Sequence, residues 1–132
     1  MIGLDTNFLV RYLVKDDPTQ TVTASRIIER QFTEQDPGFV SLVTIAETAW
    51  VLHSLYDFSR EEVAFAIELV LLAETLVIQN QREVHTAMVA FKSGLGSFPD
   101  ALIGALGLWA GCSSTLTFDR KASRLPGFKL VS

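Results

Sequence analysis

Apolar and polar positions follow two rhythms along this chain. Short apolar runs, Ile2 to Leu4, Phe39 to Val43, Leu76 to Ile78, Thr115 to Phe118 and Phe128 to Val131, read as strands. Longer stretches between them carry apolar residues at helical spacing. Thr6 or Asn7 is placed to cap a short helix running through Leu13. Asp17-Pro18 starts a second helix, with proline in the first turn, running towards Gln35. Pro37-Gly38 breaks it. A helix from about Ile45 reaches Tyr56. Ser59-Arg60-Glu61-Glu62 has the form of a capping box and opens a helix over Val63 to Ala73. Gln81 to Ser93 form an amphipathic helix that ends at Gly94, and Pro99 opens another that stops near Gly111. A short helical turn precedes the last strand.

Strands that alternate with helices imply parallel pairing with right-handed crossovers. The expected fold class is α/β, a three-layer α/β/α sandwich around a central, mainly parallel sheet. No repeat, low-complexity tract or Pro/Gly/Ser linker divides the chain, so residues 1–132 read as a single domain. With 48% hydrophobic and 20% charged residues, the composition is that of a folded chain able to bury a core, not a disordered one. The longest apolar run, Ala101 to Cys112, is too short and too rich in glycine to span a bilayer, so no membrane partner is expected. The first basic residue is Arg11 and an acid stands fifth, which argues against a secretory leader. Cys112 is the one cysteine. It excludes an internal disulfide and a multi-cysteine zinc site, and a reducing cytoplasm is the expected location.

Candidate chemistry enters with four acids. Asp5 directly follows the first strand, and Asp119 follows the strand Thr115 to Phe118 in the same way. Glu47 reads as lying in the first turn or so of the helix after Phe39 to Val43, and Asp100 in the first turn after Pro99. Ligand sites of parallel sheets lie beyond the carboxyl ends of the strands. Topology therefore puts Asp5, Glu47 and Asp119 on one edge. Asp100 follows a helix and the Gly94-Leu95-Gly96 turn, so its placement there is less direct.

Each acid also has an ordinary explanation. Helix N-termini favour acids by about 0.3–1 kcal/mol, which suits Glu47 and Asp100. Asp5 caps the helix at Asn7 on this view, and Asp119 is a turn acid paired with Arg120 or Lys121. What these explanations leave open is the grouping. An ionised carboxylate at the end of a buried strand is costly unless paired, and several together repel unless a cation joins them. Oxygen ligands select Mg²⁺ or Mn²⁺, metals that polarise a phosphoryl group and position an attacking water. The formal charge of −4 cuts against nucleic-acid binding by net charge alone, but metal-binding acids themselves lower that total.

Four segments carry a resemblance: Leu4-Asp5-Thr6-Asn7, Val43-Thr44-Ile45-Ala46-Glu47, Phe98-Pro99-Asp100-Ala101-Leu102-Ile103, and Leu116-Thr117-Phe118-Asp119-Arg120-Lys121. In this order and spacing the chain resembles the PIN-domain ribonucleases, most closely the VapC-like toxins of toxin–antitoxin modules. The resemblance implies an endoribonuclease acting on structured RNA of the tRNA or rRNA class, with Mg²⁺ or Mn²⁺ as cofactor. Asp5, Asp100 and Asp119 then look like the metal-binding acids, and Glu47 like a further catalytic acid that contacts metal through water or orients the nucleophile. Thr6, Asn7 and Thr117 look like supporting residues. The resemblance further implies a homodimer and a cognate antitoxin partner that covers the site. In one respect the chain departs from many relatives: Ser97 stands where they carry an additional acid, which puts a second metal site in doubt.

Arg11 and Lys15, four apart on the first helix, and Arg120 and Lys121, directly after Asp119, are placed to hold RNA phosphates, with solvated charge as the alternative. Arg124 reads as solvated charge. Trp50, Phe58, Phe65 and Trp109 read as core or dimer contacts, and Cys112 as a small core or loop residue. His53 and His85 lack partners at metal-ligand spacing, and no P-loop or nucleophilic serine elbow is present. A haloacid-dehalogenase-like phosphatase requires a second acid at Asn7. A competing reading keeps the fold without catalysis, as an interaction module whose acids dock a basic partner segment.

Overall fold

The computed structural model describes residues 1–132. Its elements are, in order, β1 (Ile2–Leu4), α1 (Thr6–Val14), α2 (Pro18–Arg26), β2 (Gly38–Val40), α3 (Leu42–Leu55), α4 (Arg60–Leu72), β3 (Leu76–Ile78), α5 (Gln81–Lys92), α6 (Phe98–Ala110), β4 (Thr115–Thr117) and β5 (Phe128–Leu130). A π-helical turn over Ile27–Gln31 continues α2, and a 3-10 turn over Ala122–Arg124 lies between β4 and β5. Every strand pair is parallel, as the alternation of elements requires: β2 lies between β1 and β3, and β4 pairs with β5. The fold is α/β with a central parallel sheet and covering helices. Its hydrogen-bonded ladder runs in two segments, of three and two strands. No helix is long and apolar enough to cross a membrane.

Local chemistry moves several boundaries from their expected places. Asp5, not Thr6 or Asn7, caps α1, with Oδ1 accepting from the Phe8 amide at 2.9 Å. The strand expected through Val43 stops at Val40, because Ser41 caps α3 by accepting the Thr44 amide on Oγ at 3.1 Å. The Leu42 amide meanwhile donates to Gln79 Oε1 at 2.9 Å, tying the start of α3 to the end of β3. Starting α3 at Leu42 carries Glu47 into the second helical turn. The helix expected to reach Gln35 ends by Gln31, where the chain turns extended and sends Phe32 into the core. Gly38 on the middle strand makes room for that ring: a Cβ there would lie 2.5 Å from Phe32 Cε2.

Two devices hold the helices that frame the site. The capping box at Ser59 and Glu62 starts α4 as the sequence implies. Its first residue, Arg60, donates from Nη1 to the carbonyls of Phe91, at 3.1 Å, and Gly96, at 2.7 Å. The same guanidinium lies 4.5 Å from the Phe91 ring centroid, and Phe91 meets Phe98 edge-to-face at 5.8 Å. Arg60 thus fixes the turn between α5 and α6. That turn passes through Gly96 at φ +59°, where Leu125 would collide with any Cβ.

The one buried ionisable side chain, Glu83, sits in the first turn of α5. Hydrogen bonds from the Asn80 amide, and then from Arg82, outweigh its burial and hold the carboxyl below the usual carboxylate range.

Gly38→Ala is expected to cost about 1–3 kcal/mol by crowding Phe32, read by urea denaturation. Because the Glu83 carboxyl is depressed in the fold, its stabilising contribution is present above the ordinary glutamate pKa. It is lost as pH falls through the folded value. The stability gap between the wild type and Glu83→Gln is therefore expected to narrow below about pH 4. A gap independent of pH would contradict this.

Candidate active site

Asp5 emerges directly from β1 into solvent. No burial penalty therefore forces it to find a partner, contrary to the expectation from the apolar run before it. One carboxylate oxygen is occupied by the Phe8 amide, which leaves the other open. The next residue, Thr6, donates from Oγ1 to Glu47 Oε1 at 3.1 Å. This bond joins the starts of α1 and α3 and sets Glu47 beside the Asp5 segment. Asn7 is exposed, and together with Asp5 it lines a cleft between α1 and α2.

Asp100 and Asp119 come together elsewhere. Ser97 caps α6 by accepting the Asp100 amide on Oγ at 3.2 Å, and Pro99 fits the first turn, where its missing N–H costs nothing. In this chain Ser97 therefore acts as a helix cap. Asp119 follows β4 in a tight turn: Oδ1 accepts from the Lys121 amide at 2.8 Å, while its own amide donates to Thr117 Oγ1 at 3.0 Å. Thr117 thus supports the backbone of the acid. Asp100 and Asp119 line one cavity of about 660 Å³, whose walls also include Trp50, His53, Lys121 and Arg124.

The two groups of acids are joined through α3. Trp50 is three residues beyond Glu47 and so its neighbour on the helix surface, and His53 is three beyond Trp50, so this row of α3 leads from Glu47 to the cavity wall. The four acids do not close into one cluster, however, and no three His, Cys, Asp or Glu side chains approach closely enough to hold a metal ion among them. Like charges have this effect when no cation offsets them. The donor set still suits a hard divalent cation. Mg²⁺ retains several waters and takes one or two protein carboxylates together with substrate phosphate oxygens. Asp100 and Asp119 supply such a pair.

The cations expected to hold RNA divide. Arg11 is committed within the chain, to Gln20 Oε1 at 2.7 Å, the Tyr56 hydroxyl at 3.0 Å and Asp16 at 3.2 Å. The bond to Tyr56, followed by the nearby charges, pushes its pKa further up. Lys15 ends α1 at φ +62°, its ammonium 6.0 Å from the Tyr12 ring centroid. Arg120 is exposed. Lys121 lines the cavity, and so does Arg124, which the sequence suggested was ordinary solvated charge. Trp50, read as core or dimer contact, is 56% exposed on the cavity wall. His53 is there too, its Nδ1 3.1 Å from the Phe58 carbonyl. A carbonyl only accepts, so Nδ1 carries the hydrogen. The spacing Glu47, Trp50, His53 was the signal for both residues. Cys112 is exposed, just past the end of α6.

A family model described as PIN domain matches residues 2–127 of the chain. No curated protein matches it.

Two substitutions separate scaffold from chemistry. Without metal, Asp5→Ala is expected to lose about 0.5–2 kcal/mol as a missing cap, and Asp5→Asn to stay near neutral, since asparagine caps equally well. Ser97→Ala is expected to cost a similar amount, about 0.5–2 kcal/mol. Thermal denaturation in EDTA reads all three, and an Asp5→Ala protein as stable as the wild type would contradict the capping role.

Proposed function

The chain belongs to the PIN domain family, whose fold is generally that of a nuclease, and from that membership we propose that it is a metal-dependent endoribonuclease. In this reading it cleaves structured RNA of the tRNA or rRNA class, using Mg²⁺ or Mn²⁺. It is the toxin of a toxin–antitoxin module, acts in the cytoplasm as a single-domain chain that pairs into a homodimer, and is silenced by a cognate antitoxin. The toxin assignment rests on the resemblance of the four acidic segments to VapC-like proteins. The observation that carries the enzymatic reading is the cavity in which Asp100 and Asp119 stand beside Lys121 and Arg124.

The division of labour follows from that wall. Asp100 and Asp119 would hold the metal, with Asp5 as the third metal-binding acid. When bound, the divalent ion polarises the scissile phosphoryl group and activates water. Lys121 and Arg124 would hold the neighbouring phosphates, and Arg120 is close in sequence to extend that contact. Glu47, oriented by Thr6, would accept the proton of the attacking water. Asn7 and Thr117 keep supporting roles, the latter through the backbone of Asp119. A pocket that only docked a basic peptide would gain nothing from Lys121 and Arg124 beside its acids, and this favours the ribonuclease over the interaction module.

The test is incubation of purified, partner-free protein with total cellular RNA in Mg²⁺ or Mn²⁺. Discrete fragments are expected, and EDTA should remove them. Asp100→Asn and Asp119→Asn are each expected to slow cleavage by about a hundredfold or more, with circular dichroism unchanged. Cleavage that persists in EDTA, or at the wild-type rate in both variants, would overturn the proposal.

A further inference from the structure

Trp50 and Trp109 are the two tryptophans of the chain, and their surroundings differ. The Trp109 ring is occupied: the Arg82 guanidinium lies 3.7 Å from its centroid, and its Nε1 donates to Thr86 Oγ1 at 3.2 Å. Trp50 has no such partner. It projects from α3 between the fully buried positions Ile45 and Leu52, yet its own side chain is left half open on the wall that carries Asp100, Asp119, Lys121 and Arg124. An unpartnered indole facing a cavity is a hydrophobic plane without a cover. A nucleobase is flat and apolar enough on its faces to supply one, and its phosphates match the two lysine and arginine cations on the same wall.

We propose that the cavity takes one unpaired nucleotide of the RNA substrate, its base stacked on Trp50 and its phosphates drawn to Lys121 and Arg124. The inference rests on the ribonuclease reading and deepens it by naming the side chain that holds the nucleotide, Trp50. A cavity of about 660 Å³ lies within the range that suits a single small ligand. A continuous duplex keeps its bases stacked inside and offers no free face to an indole, so the scissile region must be a loop, a bulge or a single strand. A cationic peptide is the poorer occupant, because Lys121 and Arg124 would repel it. Trp50 acts here as a positioning and specificity residue: it fixes the nucleotide while the acids do the chemistry.

Trp109→Phe leaves Trp50 as the sole tryptophan, excited selectively at the red edge of the absorption band, and touches nothing in the cavity. Titrating that variant in Ca²⁺ with a short unstructured RNA oligonucleotide is expected to quench its emission, while a blunt duplex of the same sequence quenches little. In fluorescence anisotropy with the labelled strand, Trp50→Ala should weaken binding by roughly 5- to 150-fold, the range measured for stacked bases. Trp50→Phe should restore most of the loss. Single-strand binding without quenching, or with equal affinity in Trp50→Ala, overturns the stacking while Mg²⁺-dependent cleavage by Trp109→Phe keeps the ribonuclease reading. Equal quenching by duplex overturns the requirement for an unpaired base. Quenching by an arginine-rich peptide but not by RNA overturns the choice of occupant. Absence of both RNA binding and cleavage overturns the stacking and the enzyme together.

Discussion

A carboxylate beside a free backbone amide is held by a hydrogen bond that needs only one of its two oxygens, and the site of this protein depends on that asymmetry. Asp5 gives one oxygen to the Phe8 amide at the start of α1, and Asp119 gives one to the Lys121 amide in the turn after β4. Glu47 likewise uses one oxygen, but to accept from a side chain, the Thr6 hydroxyl. The first two bonds belong to helix and turn starts, where amides lack a helical partner, and the third joins α1 to α3 across the fold. Asp5 and Asp119 are thereby oriented by local structure. Each of the three keeps a second oxygen without a hydrogen-bond partner. No three of the acids approach closely enough to share an ion, a spacing that limits their mutual repulsion in the absence of a cation.

Around this frame the chain assembles a cavity from distant segments. Arg60, at the start of α4, grips two carbonyls of the turn between α5 and α6 and so fixes the entry to the helix that bears Asp100. Trp50 and His53 come from α3, and Lys121 and Arg124 from the turn after Asp119. Acids and cations then share one wall, which reconciles an acidic chain with the polyanionic substrate proposed for it: the local balance of charge matters more than the formal total of −4.

Elements with strong punctuation were legible from the sequence. Ser59 with Glu62, Asp17 with Pro18, and Gly111 after a long apolar helix each mark a boundary through a specific bond or dihedral, and the structure uses all three. Where punctuation was weak, tertiary contacts decided. Val43 has the side chain of a strand residue, but Ser41 and Gln79 together start a helix before it. Asp5 was legible as an acid at a strand end and illegible as an exposed one, since burial depends on neighbours the sequence does not order. Trp50 was open to the same ambiguity: its exposure excludes a core position, and Arg124, exposed as a solvated cation would be, also lines the cavity. A lone cation and a helical aromatic look ordinary until the fold brings them to one cavity wall.

The most direct test of the account is a crystal structure of the protein soaked in Mn²⁺, with the metal located by its anomalous scattering. The account expects a peak in the cavity, bonded to carboxylate oxygens of Asp100 and Asp119 and otherwise to water, and its loss in Asp119→Asn. Manganese bound only elsewhere on the surface, with both carboxylates unliganded, would contradict it.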